Sequence, residues 1–284
     1  NSQSSPFKWN VGLNFSAYKN KVTKINESNP NGFILGSVFR SGVITRTSQG
    51  LPISYYYGRE ILGIFQDANE VASAPSQGFS SAEAGVGRFR YKDIDGNNVI
   101  NDLDRTILGH PHPDFSYGVN INLGYNKVFV TMFLQGVQGN EVYNFTKIGT
   151  DFPSFFNSNR SARVLDSWSE TNRDAILPAL HTSIVNNESQ PNSYFVEDGS
   201  YMRLRNLQLG YNFELPKLGV RNAQVYIQGT NLFTITDYQG ADPEMGTGNA
   251  GDDPNPPAAD LTLGVDQGRY PIATSYLLGL KFSF

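Results

Sequence analysis

The stretch Ser275-Tyr-Leu-Leu-Gly-Leu-Lys-Phe-Ser-Phe284 has the alternation of an amphipathic β-strand. Successive side chains of a strand point to opposite faces, so five large apolar residues fall on one face and mostly small or polar residues on the other. Its length of about ten residues suits a tilted strand that crosses the hydrocarbon core of a bilayer. The edge strand of a soluble sandwich would show the same pattern, so this stretch alone leaves both interpretations open.

The alternation recurs along the chain, and its clearest copy runs from Phe115 to Tyr125. Aromatic residues stand at both ends of its apolar face with aliphatic residues between them, which is the arrangement of the aromatic girdles of membrane barrels. A two-residue turn at Asn126-Lys127 leads into another alternating strand. With further candidates at 7–18, 22–44, 202–213 and 223–230, the sequence predicts six or seven antiparallel strands. A change of parity after Arg205 predicts a β-bulge or a strand that rises above the bilayer.

Short and long connections alternate between these predicted strands. The regions 45–90, 139–199 and 237–269 are long and mostly polar, and within the second of them residues 161–169 have the spacing of a short helix. Compact soluble domains rarely contain connections of this length, whereas outer-membrane barrels have long extracellular loops. The pattern therefore predicts an all-β fold, a transmembrane antiparallel β-barrel with long extracellular loops.

Composition excludes several other classes. The 284 residues contain no cysteine, which excludes disulfides and thiolate chemistry, and no apolar run of about 18 residues, which excludes a transmembrane helix. The net charge is -4 without a basic stripe, so nucleic acid is not an expected partner. No nucleophile elbow, Walker loop or dinucleotide fingerprint occurs, and we expect no enzymatic activity. The chain begins Asn-Ser-Gln without a starting Met, which indicates processing or a piece of a longer protein.

Several motifs resemble one family. The run Tyr91-Lys-Asp-Ile-Asp-Gly-Asn-Asn-Val-Ile-Asn-Asp-Leu-Asp-Arg105, continuing through Pro113-Asp-Phe and Tyr117-Gly118, is similar to a stretch of the SusC/RagA family of TonB-dependent outer-membrane transporters. So are Trp168-Ser-Glu-Thr-Asn-Arg-Asp-Ala, the run from Gly199 to Tyr211, and Gly229-Thr-Asn-Leu-Phe233. The motifs follow one another in order between about residue 88 and the end.

The resemblance implies that residues 1–284 are the C-terminal part of a 22-stranded plugged barrel in the outer membrane of a Gram-negative bacterium. The plug, the TonB-contacting segment and the earlier strands would lie upstream, on the remaining polypeptide. The implied function is TonB-dependent import of oligosaccharides or peptides, together with a SusD-like surface lipoprotein. A soluble, calcium-containing, carbohydrate-binding β-sandwich is the alternative, and exposure of the apolar strand faces would distinguish the two.

One loop has the ligand spacing of a calcium site. Asp93, Asp95, Asn97, Val99 and Asp104 occupy positions 1, 3, 5, 7 and 12 of a twelve-residue loop, which is the EF-hand pattern with Val99 contributing its backbone carbonyl. Ca²⁺ needs six to eight oxygen ligands, and this loop can supply them. Asn98 stands where such loops usually have Gly, and Asp104 replaces the usual Glu. A solvated turn without metal is the alternative.

The long connections contain candidates for contact with the substrate or the lipoprotein. Aromatic faces stack on sugar rings and peptide side chains alike, but they also pack together in a loop core, and arginines can line the lumen or pair with loop carboxylates. His110 and His112 flank a proline and are interpreted as a loop brace. The candidates for these contacts are Tyr55, Tyr56, Tyr57, Phe155, Phe156, Trp168, Arg203 and Arg205.

Overall fold

The structure is a computed structural model that describes residues 6–26, 29, 32–152, 159–183, 185–215, 219–245 and 259–283. Antiparallel strands dominate it, and its helices are short. Within these ranges no helix has the length and apolar character needed to cross a membrane.

The strands fall into one large sheet and several small ones. The strands are β1 (Phe7–Ser16), β2 (Phe33–Leu35), β3 (Val38–Phe39), β4 (Gly42–Val43), β5 (Thr45–Ser48), β6 (Tyr55–Arg59), β7 (Ile61–Ile64), β8 (Phe89–Tyr91), β9 (Arg105–Gly109), β10 (Phe115–Tyr125), β11 (Val128–Gln138), β12 (Glu141–Asn144), β13 (Val196–Asp198), β14 (Tyr201–Leu215), β15 (Val220–Thr236), β16 (Val265–Asp266) and β17 (Ser275–Ser283). The α-helices are α1 (Ala68–Ser73), α2 (Ala82–Gly85) and α3 (Thr146–Thr150).

The large sheet has six strands in the order β1-β10-β11-β14-β15-β17, and every neighbouring pair is antiparallel. The predicted terminal strand is confirmed as β17, and the clearest predicted strand as β10. The predicted tight turn is confirmed too, because Tyr125 pairs with Val128 and Asn126 has φ 51°. Asparagine tolerates this left-handed backbone better than most residues.

The two faces of this sheet differ in polarity, as the alternation predicts. On the apolar face, Leu13 and Leu278 leave 74% and 73% of their surface exposed. A soluble sandwich would bury such side chains against a second sheet, so the structure argues against that alternative. One row of the polar face runs through Asn10, Asn122, Thr131, Gln208 and Gln228 on consecutive strands.

The connections are strongly asymmetric. The three long connections, 17–114, 139–200 and 237–274, start and finish at one end of the sheet, whereas the turn 126–127 and the strand ends at Leu215 and Val220 lie at the other. We call the three long connections the loop layer. Its small sheets and helices share a core of buried side chains. Those core residues include Phe39, Ile44, Tyr56, Phe89, Tyr91, Tyr143, Ile148, Phe152, Trp168, Leu177, Phe195 and Val265.

Two predictions need correction at the level of local structure. The candidate strand at 22–44 does not cross the sheet, because the described part contains only β2, β3 and β4, and glycines such as Gly36 and Gly42 divide it. The long polar connection predicted at 45–90 contains β5 to β8 and two short helices. The predicted helix at 161–169 is a 3₁₀ turn over Ala162–Asp166.

The predicted change of parity in β14 is a β-bulge. The register shifts between Leu204 and Asn206 in the pairing with β15, and a matching shift occurs against β11. The extra residue is Arg205. A bulge of this kind re-aims the side chains on the upstream part of the strand, so Arg203 and Arg205 are positioned by backbone geometry as well as by sequence spacing.

Candidate functional site

Most of the predicted aromatic contact residues lie inside the loop layer. Tyr56 has no exposed surface, and Tyr55 and Trp168 are also buried. These side chains therefore pack against protein and present no free face to a ligand in this structure. Tyr57 is half-buried, with the Arg46 and Arg105 guanidinium groups each 4.8 Å from its ring centroid. Phe155 and Phe156 lie outside the described residues.

Tyr56 connects all three long connections. Its hydroxyl lies 3.0 Å from the carbonyl oxygen of Glu141 and 2.9 Å from that of Gly264. Burial raises the pKa of this phenol well above its ordinary value. It therefore stays protonated at any physiological pH and remains a hydrogen-bond donor. Trp168 acts similarly, since its indole N–H donates to Gln66 at 3.0 Å. Both aromatic residues brace the loop layer.

Two arginines and two carboxylates form a buried cluster where the loop layer meets the sheet. Arg203 Nη2 lies 2.6 Å from Asp242 Oδ1, and its Nη1 lies 2.8 Å from Glu244 Oε2. Arg205 also pairs with Glu244, and its Nε donates to Gln135 at 2.8 Å. The predicted alternative in which these arginines pair with loop carboxylates is the one that the structure shows. We call Arg203, Arg205, Asp242 and Glu244 the arginine cluster.

The arginine cluster fixes the third long connection to the two bulged strands. Asp242 accepts hydrogen bonds from the backbone N–H groups of Glu244 and Ile272, at 2.9 and 3.1 Å. These bonds and Arg203 hold the pKa of Asp242 below its ordinary value, against the effect of burial, which raises it. Arg205 further donates to Asn231 of β15 at 3.3 Å. The cluster is thus a satisfied ionic network rather than a free ligand site.

The predicted calcium loop, residues 93–104, brings its carboxylates together. Asp93, Asp95 and Asp104 each place one oxygen within 4.8 Å of the others. Asp104 is fully buried, and its two oxygens accept hydrogen bonds from the N–H groups of Ile94 and Asn101, at 2.8 and 2.7 Å. Asn98 has φ 61°, so it makes the sharp turn expected of it. Oxygen ligands converging at this spacing suit a hard divalent cation.

A second buried ion pair joins the first and second long connections. Arg88 Nη1 lies 3.0 Å from Glu188 Oε2, and both side chains are almost fully buried. Glu188 Oε1 accepts a hydrogen bond from the N–H of Phe89 at 3.2 Å, and Arg88 also donates to the carbonyl of Ala179. Burial raises the pKa of Glu188 to about 7, although Arg88 and the Phe89 N–H favour its charged form.

This raised pKa predicts a pH-dependent loop layer. Glu188 binds a proton more readily in the folded state than in the unfolded chain, where its pKa is 4.5. Stability is therefore highest below pH 5 and falls as pH rises through 7, by on the order of 3 kcal/mol. We expect hydrogen exchange at the Ala179 amide, which donates to the carbonyl oxygen of Gly87 across the same two connections, to become more protected from pH 8 to pH 5. Glu188→Gln should flatten this dependence, whereas Glu60→Gln, in an exposed ion pair with Lys92, should preserve it. An equal slope in both variants would contradict the prediction.

Comparison with known proteins identifies the family. The chain matches the TonB-dependent receptor P3 of Formosa agariphila with 33% identity over its whole length, and the receptor P26 of the same organism with 30% identity. SusC of Bacteroides thetaiotaomicron is 24% identical over 98% of the chain. The chain is a homologue of the TonB-dependent receptors. It spans about a quarter of their length, since the match covers 27% of P3, 28% of P26 and 24% of SusC. No family model matches the chain.

Solved structures agree with this relationship at the level of the fold. The RagAB peptide transporter superposes with a TM-score of 0.73 over 99% of this chain and 27% of that one, at 19% identity. The "closed-closed" state of the RagAB peptide importer superposes with a TM-score of 0.70 over 99% of this chain and 28% of that one. The predicted recognition and the predicted antiparallel fold are therefore confirmed. Relatives that are receptors and transporters also point to a non-enzyme, as the sequence predicts.

Sequence reasoning missed the acidic partners in this TonB-dependent receptor homologue. Asp242 and Glu188 are buried and Glu244 is partly exposed, and none of the three stands out in sequence from other loop carboxylates. For Asp242 and Glu244 the available signal is the pair of arginines beside the parity change of β14, because buried arginines require anionic partners. For Arg88 and Glu188, which are 100 positions apart, no local pattern exists.

Proposed function

We propose that this chain forms part of the barrel of an outer-membrane TonB-dependent transporter that imports oligosaccharides or peptides. The observation that carries the proposal is the whole-chain match to TonB-dependent receptors, combined with a six-stranded sheet that is apolar on one face and polar on the other. A barrel wall requires this arrangement, because one face contacts lipid and the other lines the lumen. The remaining strands and the plug are expected from the rest of the receptor.

The proposed mechanism assigns no covalent chemistry to these residues. The polar face presents neutral amides such as Asn122 and Gln208 to the lumen, where they would contact the plug and the passing solute. TonB would supply the work that displaces the plug. The loop layer would lie on the cell surface and meet a SusD-like lipoprotein. RagAB, which is named a peptide importer, is a structural neighbour of this chain. Its name does not decide between peptides and oligosaccharides as the substrate here.

Deletion of the full-length receptor gene tests this proposal. We expect the deletion strain to lose uptake of a labelled oligosaccharide or peptide, and a TonB-deficient strain to lose it equally, because both lack energised transport. The receptor should fractionate with the outer membrane and co-purify with a lipoprotein in mild detergent. Recovery of the receptor in the soluble fraction, or uptake unaffected by either deletion, would reject the proposal.

We further propose that residues 93–104 hold a structural Ca²⁺. Asp93, Asp95, Asn97 and Asp104 would supply side-chain oxygens and Val99 its carbonyl oxygen, and the convergence of the three carboxylates supports this assignment. The ion would stiffen a surface loop by joining its two halves. Binding to the folded state alone stabilises a protein by about 2.7 kcal/mol when the ligand concentration is one hundred times its Kd.

Calcium titration of the full-length receptor tests the calcium proposal. We expect Ca²⁺ to raise the melting temperature and Asp95→Asn to weaken binding by about tenfold or more, because one ligand charge is lost from the site. Asp102→Asn is the matched control, since Asp102 lies in the same loop, is exposed, and pairs with Arg59. If Ca²⁺ does not change the melting temperature, or if both variants bind equally, the loop is a metal-free turn.

A further inference from the structure

The apolar face of the large sheet has a gap at Gly229. Leu207, Gly229 and Tyr276 are neighbours in one row across β14, β15 and β17. Adjacent strands lie about 4.8 Å apart, so the two outer residues are separated by about 10 Å with only a glycine between them. In the next row, Leu209 and Leu278 continue the two walls of the gap, and Ile227 between them forms its floor.

A bulge in β15 closes one end of this gap. Asn231 has φ 51°, and the pairing with β14 skips from Thr230 to Phe233. The looped-out Leu232 folds back so that its Cδ2 lies 2.6 Å from the position that a Cβ at Gly229 would occupy. A side chain at 229 would therefore require Leu232 to move. The result is an apolar groove of about 510 Å³, lined chiefly by Leu207, Leu209, Ile227, Leu232, Tyr276 and Leu278.

The groove fits a single hydrocarbon chain. Its volume is about 510 Å³ and its lining is almost wholly apolar, so it has room for part of one chain and offers dispersion contacts to it. The groove is also continuous with the exposed apolar face, where Tyr276 and Leu278 keep most of their surface accessible. Tyr276 stands one residue from the loop-side start of β17, and its hydroxyl suits the polar boundary of a bilayer.

We propose that the groove seats one acyl chain of a membrane lipid, from the leaflet on the side of the loop layer. This rests on the proposed membrane location of the apolar face. On the same face, Gly136 is covered by the ring of Tyr117. Beside Gly229, Leu207 and Tyr276 stand on both sides of the groove, so a lipid chain held there should exchange more slowly than its neighbours.

Photo-crosslinking of the full-length receptor tests this assignment. The probe is phosphatidylethanolamine with a diazirine in its acyl chain, incorporated in nanodiscs, and labelled residues are mapped by peptide mass spectrometry. We expect the peptides with Leu232, Tyr276 and Leu278 to be labelled at least about threefold more than β1, whose Leu13 has similar exposure. Equal labelling of the groove and β1 would overturn the proposal.

A variant whose groove is filled by a larger side chain provides a second test of the proposal. Ile227→Trp places an indole on the groove floor, and Leu13→Trp is the matched control on β1, outside the residues that line the groove. We expect the first variant to lower labelling of Leu232 and Tyr276 at least about threefold and the second to leave it unchanged. Labelling that persists in Ile227→Trp would contradict the binding of an acyl chain in the groove. A receptor that assembles and imports but shows uniform labelling disproves only this inference, whereas a receptor absent from the membrane disproves the proposed function.

Discussion

Arg203→Met is expected to release the third long connection from the sheet. The substitution leaves Asp242 buried without its cationic partner, and removal of one member of a buried pair costs about 3–5 kcal/mol. Hydrogen exchange in the full-length receptor measures the effect at the amides of Glu244 and Ile272, which donate to Asp242. Each 1.36 kcal/mol changes an equilibrium constant tenfold. The protection factors of these amides should therefore fall by about a hundredfold or more.

Two comparisons make the result specific to the arginine cluster. Lys92→Met breaks an exposed ion pair with Glu60, which should cost no more than about 1 kcal/mol. Combining Arg203→Met with Asp242→Asn removes both charges while the asparagine side-chain oxygen can still accept a backbone N–H, so it should recover part of the lost protection. If Arg203→Met leaves the exchange of these amides unchanged, the cluster does not anchor the connection.

Phe195→Ala should destabilise the loop layer by a similar amount. The ring is fully buried and lies 5.4–5.6 Å, centroid to centroid, from the rings of Tyr143, Phe152 and Tyr194. Truncation of a buried phenylalanine costs about 3–5 kcal/mol, because apolar contacts are lost and a cavity remains. Thermal unfolding of the full-length receptor and local hydrogen exchange around β13 both measure this loss.

Tyr270→Ala is the matched control for Phe195→Ala. Tyr270 is an aromatic residue of the same loop layer but is 87% exposed, so its truncation should change stability by no more than about 0.5 kcal/mol. If Phe195 contacted a ligand, its truncation would weaken binding without loss of stability. That outcome would contradict the assignment of the buried loop aromatics to a structural core.

The sequence by itself determined the strands of the large sheet and which of their faces is apolar. Period-two alternation is a local property, so β10 and β17 could be identified before any pairing was known. The parity change near Arg205 located the bulge for the same reason. The motif around Asp93 determined both the resemblance to the SusC/RagA family and the spacing of the predicted calcium ligands, because each depends on residues close together in the chain.

Only the tertiary structure decided which partners the polar and aromatic residues of the loop layer contact. Arg203 and Asp242 are 39 positions apart, and Arg88 and Glu188 are 100 apart, so no periodicity relates them. For Tyr56 the sequence left ligand contact and loop-core packing both open, and β6 packs it into a core that three connections share. The groove at Gly229 likewise requires three strands in register and a bulge that folds Leu232 back. Partners brought together by register and loop packing depend on the whole chain, because their contacts form only when distant segments meet.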